Sequence, residues 1–221
     1  MKKNPQKIKD MFNKIAQVYD FNNNLMSFGQ HVRIKKQAVK FLNAHNANVL
    51  DLCTGTGDIA GFIDKSCEVT GFDFSEKMLE SARKKYPWVN FIEGDCLSLP
   101  FEDNSFDIVT ISFGLRNIED YDKALDEIYR VLKPNGLFMH LDFGKKNFLG
   151  DLLFDIIIPH LVKIVYKDNL PYEYLVKSKK LFFNEEMLIE LFERHNLNLK
   201  EKHTMLFGGA SCQICIKWLS I

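Results

Sequence analysis

Residues 48–60 read Asn-Val-Leu-Asp-Leu-Cys-Thr-Gly-Thr-Gly-Asp-Ile-Ala, an apolar run that ends in a Gly-x-Gly turn and leads into a helix-like pattern. Glycines at such a turn let the backbone come close to a ligand at a helix start, because no Cβ obstructs the approach. Further apolar runs lie outward from it at Glu68–Phe72, Val89–Glu93, Phe106–Ile111 and Leu137–Asp142, with helical patterns between them. Strands alternating with helices predict a parallel sheet covered on both faces, with ligands at the carboxyl ends of its strands. The expected fold class is α/β, a Rossmann-like doubly wound sheet.

Tyr121, Ala124, Leu125, Ile128, Tyr129 and Leu132 form one apolar helical stripe, which Pro134, Asn135 and Gly136 bring to an end. Met187, Leu188, Leu191 and Phe192 mark a later helix with Asn184 as its N-cap, and strand-like runs follow at Leu197–Met205 and Cys212–Trp218. The first 45 residues read as helices rich in Lys, Asn and Gln, and residues from about 145 to 183 as an insertion. Both are expected to close over the carboxyl edge of one domain spanning residues 1–221.

Lys plus Arg and Asp plus Glu each number 29, so no net field draws the chain to nucleic acid, and none is expected as a partner. The five cysteines are scattered, and the first residues lack the apolar core of a signal peptide, which favours a reduced cytoplasm. Cys212 and Cys215 form a lone Cys-x-x-Cys; three positions apart on a strand they point to opposite faces, so no metal is expected. The longest uncharged part of the most apolar stretch, Ile156–Val162, is far short of the ~20 residues that span a bilayer.

As a bare pattern, Gly55, Gly57 and Ala60 also fit a dinucleotide fingerprint, with Asp73 18 residues after Gly55 where a ribose-binding acid belongs. Charge tips the choice. A pyrophosphate at this turn meets Asp51 and Asp58, whereas the sulfonium and ammonium of S-adenosylmethionine are favoured by nearby carboxylates. Asp73 offers two oxygens to ribose hydroxyls, and Asp95, at the end of the third strand, an acceptor for an adenine amino group. Each acid taken singly also reads as a helix N-cap or solvated loop residue.

Asp51–Asp58, Gly71–Met78, Gly94–Ser105 and Phe106–Ser112 resemble successive motifs of class I S-adenosylmethionine-dependent methyltransferases. More narrowly, Tyr19–His31, Thr110–Asn117 and Arg130–Gly136 resemble the quinone-biosynthesis C-methyltransferases, which act on demethylmenaquinol and, in some members, on a polyprenyl methoxybenzoquinol. The chain departs from that family's usual residues at Asn22, Ile34, Asn135, Asp142 and Gly144. The resemblance implies a class I methyltransferase sheet, S-adenosyl-L-methionine as cofactor, a polyprenyl quinol as substrate, and cofactor contacts at Thr56, Asp73, Asp95, Cys96 and Ser112. With Asp51, Gly55 and Gly57 these make the expected cofactor set.

Carbon methylation requires an electron-rich ring and therefore a base near a ring hydroxyl. His31 is one candidate, with stabilisation of a helix end as its other reading; Asp142 is a second base candidate, or a polar anchor. Arg116 and Asn117 are placed to orient the quinol oxygens, or to cap a turn; Tyr19 reads as a contact or as core. Phe148, Leu149, Leu152, Leu153, Ile156 and Ile157 read either as a route for the tail with peripheral membrane contact, or as core or homodimer packing.

Overall fold

The computed structural model describes residues 4–144, 174, 177–179 and 181–218. Its strands are β1 (Asn48–Leu52), β2 (Glu68–Asp73), β3 (Asn90–Glu93), β4 (Phe106–Ser112), β5 (Leu132–Phe143), β6 (Leu197–Met205) and β7 (Ala210–Lys217). They form one sheet in the order β3-β2-β1-β4-β5-β7-β6. The first five pair in parallel, and β7 runs antiparallel between β5 and β6. The chain order reverses between β1 and β4, so the ligand crevice of such a sheet opens beyond the carboxyl ends of these two strands.

Alternation along the strands builds two cores. Leu50, Leu52, Val109, Ile111 and Phe138 face α6 (Tyr121–Val131) and α7 (Glu185–Arg194), while Val49, Ile108, Met139 and Leu141 face α3 (Gln30–Leu42). Asp120 and Asn184 cap α6 and α7 by accepting the N–H groups of Lys123 and Met187, as expected for Asn184. Ser75 likewise caps α5 (Glu76–Lys85). The short α4 (Asp58–Phe62) follows the glycine turn, and α1 (Pro5–Ile15) and α2 (Tyr19–Ser27) precede α3.

One detail differs from the sequence reading. β5 begins at Leu132, which pairs with Phe106 before Leu137 pairs with Ile108, so five residues of β5 span two of β4. Helix α6 ends just before this stretch, at Val131; Pro134 has no N–H for the ladder and Asn135 takes φ +62°, so the stretch bulges out of β5. Cys212 and Cys215 do face opposite cores, and burial pushes both thiols up to about 12. Phe148, Leu149, Leu152, Leu153, Ile156 and Ile157 lie outside the described residues; among the described ones, no helix is long and apolar enough to cross a membrane.

Candidate active site

The loops after β1 and β4 meet at the switch point. Cys53 (φ +53°) and Phe113 (φ +54°) hold left-handed backbone just past their strands, a conformation that costs a residue with a Cβ. Next to them Gly114 packs so tightly that a Cβ there would stand 2.4 Å from that of Cys53. The missing side chain lets the turn Leu115–Asn117 lie against the glycine loop.

Asp51 is buried and accepts the hydroxyls of Thr54 and Thr110 at 2.6 Å each. Burial outweighs both and pushes its carboxyl up to about 6. Asp73 accepts the N–H of Gly55 on one oxygen and of Ser75 on the other, each at 2.9 Å, and burial raises it also to about 6. Gly55 takes φ +58° and Gly57 φ +81°, which explains glycine at both positions. The Ser112 hydroxyl is buried without a partner. Asp95 is exposed, with one oxygen accepting the N–H of Leu97 at 2.9 Å. Cys96 hydrogen-bonds the Cys53 side chain, which with burial raises the Cys53 thiol well above its usual range, so it stays protonated.

Asp58 corrects part of the charge argument from the sequence. Burial raises its carboxyl, but Lys35 at 2.9 Å and Lys85 at 2.5 Å more than offset this and hold it at about 2. Its charge is already balanced by two ammonium groups, so the preference for a cationic ligand falls to Asp51 and Asp73.

The N-terminal helices are tied to these loops by side chains. Thr56 donates to Asp20 at 2.6 Å, Lys85 to Asp20 at 2.7 Å, Ser75 to Asn13 at 2.7 Å and Lys9 to Glu93 at 2.8 Å. Phe12 sets its ring 6.2 Å from both Phe74 and Tyr19, so the Tyr19 ring packs within this segment. Asp20 and Asn13 were missed because nothing in the sequence links residues 20 and 56, or 13 and 75; only the folded sheet brings them together.

His31 sits on the same side. Ser27 donates to the Asn23 carbonyl at 2.6 Å, so it accepts from Nδ1–H of His31 at 2.9 Å, which leaves Nε2 as the unprotonated nitrogen of the neutral ring. Burial, then Lys35, lowers its pKa below 6.5, while Asp58 and Asp20 pull it upward.

Arg116 and Asp142 lie at the carboxyl edge, one past β4 and the other near the end of β5. Nη1 of Arg116 donates to Oδ1 of Asp142 at 2.7 Å, both side chains are buried, and Arg116 Nε and Asp142 Oδ2 have no partner. The guanidinium stands 5.0 Å from the Phe143 ring. Asn117 accepts the Tyr174 hydroxyl at 3.0 Å. Leaving a buried polar atom unpaired costs about 1–3 kcal/mol, so each of these two atoms calls for a partner that no side chain among the described residues supplies. Of the five catalytic candidates, the fold therefore gathers Arg116, Asn117 and Asp142 at one edge and sets His31 and Tyr19 in the N-terminal segment.

A model of the ubiE/COQ5 methyltransferase family matches residues 1–217. The chain belongs to that family. Among its relatives, a Staphylococcus haemolyticus protein named demethylmenaquinone methyltransferase is 37% identical over 219 residues, covering 93% of this chain and 91% of the relative. A Bacillus cereus protein of the same name is 34% identical over 227 residues, covering 96% of each. Two solved structures are similar in fold: a Thermotoga maritima S-adenosylmethionine-dependent methyltransferase (TM-score 0.68, 23% identity, 94% of this chain and 98% of the other) and the [4+2]-cyclase SpnF (TM-score 0.71, 16% identity, 99% and 97%). Since a cyclase shares the fold, the fold alone does not fix the reaction, and the family does. The chain is a methyltransferase whose cofactor is S-adenosylmethionine.

The residues present suit that cofactor. Both Asp73 oxygens keep lone pairs beyond their backbone bonds, Ser112 presents an unpartnered hydroxyl, and neither Asp51 nor Asp73 pairs with a cation among the described residues. A pyrophosphate would meet two carboxylates there; a sulfonium meets two favourable charges.

Proposed function

We propose that the chain methylates a ring carbon of a polyprenyl quinol, demethylmenaquinol giving menaquinol. The observation that carries this reading is the buried Arg116–Asp142 pair, with one donor and one acceptor unmet at the carboxyl edge beside the glycine loop. The two relatives named demethylmenaquinone methyltransferase, similar over nearly the whole chain, supply the choice of acceptor.

When bound, S-adenosylmethionine supplies an electrophilic methyl group. Asp51, Asp73 and Ser112 hold it, with the backbone of Gly55, Thr56, Gly57 and Cys96 and the free oxygen of Asp95 completing the cradle. Oδ2 of Asp142 accepts the hydrogen bond of a ring hydroxyl, which raises electron density on the adjacent carbon. Arg116 Nε–H steadies negative charge on that oxygen, and Asn117 fixes the turn that carries Arg116. His31, with its Nε2 unprotonated, is the second base; Tyr19 supports the segment that covers the cofactor. The apolar run 148–157 guides the tail, with the protein touching the bilayer peripherally or pairing with a second copy.

Transfer of labelled methyl to a reduced short-chain demethylmenaquinol, beside a methoxybenzoquinol, tests the reading. Methylation of the naphthoquinol supports it, and methylation of neither quinol removes it. Flotation with liposomes and sedimentation velocity check the bilayer contact and the pairing; protein left wholly unbound and monomeric excludes both.

A further inference from the structure

On the sheet face that carries Phe138, the two rungs nearest the ligand edge turn polar. His140 is the register partner of Gln213, Asp142 is that of Ser211, and all four residues are buried. The hydrogen bonds run in one direction. Gln213 Nε2 donates to the Ser211 hydroxyl at 2.7 Å, so its Oε1 is the acceptor that meets His140 Nδ1 at 2.8 Å, and Nδ1 carries the proton. Nε2 of the neutral ring is then a bare lone pair, and it is buried without a partner.

The surroundings explain why this nitrogen matters. Phe192 and Phe182 stand 5.3 and 6.3 Å from the imidazole and offer it no hydrogen bond donor. Burial lowers the His140 pKa and keeps the ring neutral, with Asp142 pulling the other way and Arg116 adding to the effect. Three buried atoms of neighbouring residues, two acceptors on His140 and Asp142 and one donor on Arg116, are thus unmet together. An apolar side chain would pack this position at less cost, so the polar ladder points to a ligand that brings its own hydroxyl.

We propose that His140 is a specificity-determining residue of the acceptor site, its Nε2 accepting a hydrogen bond from a ring hydroxyl and so selecting the reduced dihydroxy acceptor over the oxidised dione. This rests on the quinol reading above. A hydroxyl donates into the lone pair, whereas a carbonyl oxygen sets lone pair against lone pair and leaves both unsatisfied. Ser211 and Gln213 are positioning residues that fix the tautomer.

The test compares the affinities of a short-chain demethylnaphthoquinol and the matching quinone, with S-adenosylhomocysteine blocking turnover, for the wild type, His140→Phe and Gln213→Leu. The wild type is expected to favour the quinol by roughly tenfold. His140→Phe narrows that preference to what Asp142 alone maintains. Gln213→Leu, which keeps the imidazole but frees its tautomer, narrows the preference and keeps the test decisive if His140→Phe misfolds. In histidine-labelled wild type, the Nε2 nitrogen resonance moves on adding quinol and stays put on adding quinone. An unchanged affinity ratio in both variants, or an Nε2 resonance indifferent to bound quinol, overturns the proposal. Absence of methyl transfer to any quinol by the wild type sinks the functional reading instead.

Discussion

Asp20 and Thr56, 36 positions apart, share a 2.6 Å hydrogen bond that fastens helix α2 to the glycine loop. The other Asp20 oxygen takes Lys85, which also holds Asp58 at the start of α4. One carboxylate therefore couples the N-terminal helices to the glycine loop that we propose holds the cofactor.

Replacing Asp20 with Asn keeps an acceptor for Thr56 but loses the ion pair with Lys85. Both partners are about one-third exposed, 34% and 36%, so solvent screens the pair and the loss is about 1 kcal/mol. Cofactor release measured by stopped flow is expected to quicken roughly fivefold. An unchanged release rate would mean that the cover moves independently of the loop.

Asp51 and Asp73 give the site a pH dependence. Their folded pKa values, about 6 through burial, exceed the ordinary 3.8, so the folded protein binds the protons more tightly than the unfolded chain. Their contribution to stability is thus fullest below pH 4 and is lost as pH rises through 6, about 3 kcal/mol for each. A cationic ligand reverses the preference by favouring the ionised forms. Calorimetry is expected to show cofactor affinity falling by roughly tenfold between pH 7.5 and 5, with proton release on binding at pH 6. An affinity that does not change with pH would exclude these two carboxylates as the favourable charges.

Much of this was legible in the chain, for a physical reason. Strand alternation and the Gly-x-Gly turn depend on local periodicity and backbone freedom, so β1 to β4 and the residues at their ends, Gly55, Asp73, Asp95 and Ser112, were placed from sequence. What stayed hidden depends on long-range contact. The cation pairing of Asp58 needs Lys35 and Lys85, the tie to Asp20 needs α2 over the loop, and the His140–Gln213 bond needs β7 beside β5. The start of β5 at Leu132 was missed because Pro134-Asn135-Gly136 reads as a terminator where the sheet accommodates it as a bulge.

The buried Arg116–Asp142 pair makes single substitutions costly. Asp142→Ala leaves a buried guanidinium uncompensated and is expected to destabilise the fold by about 3–5 kcal/mol in denaturant unfolding. Asp142→Asn preserves the shape and is the informative variant. It is expected to reduce kcat by roughly a hundredfold while cofactor affinity stays within about twofold. A kcat close to wild type would remove Asp142 from the chemistry.

His31 differs in position and so in its expected signature. If it acts as a base, the rate rises with pH through a value below 6.5, since burial and Lys35 disfavour its protonated form. The rate profile of His31→Asn decides its part: loss of the acidic limb identifies His31 as the group that must be unprotonated. Retention of the limb in His31→Asn would leave His31 as a support for the α2–α3 junction through Ser27.

The most direct test of the central claim is transfer of labelled methyl from S-adenosylmethionine to a short-chain demethylmenaquinol, run with the quinol reduced and oxidised. The expected result is label on the ring carbon of the reduced naphthoquinol and none on the quinone. Tight cofactor binding with no label on any quinol would contradict the assignment and leave a methyltransferase acting on another acceptor.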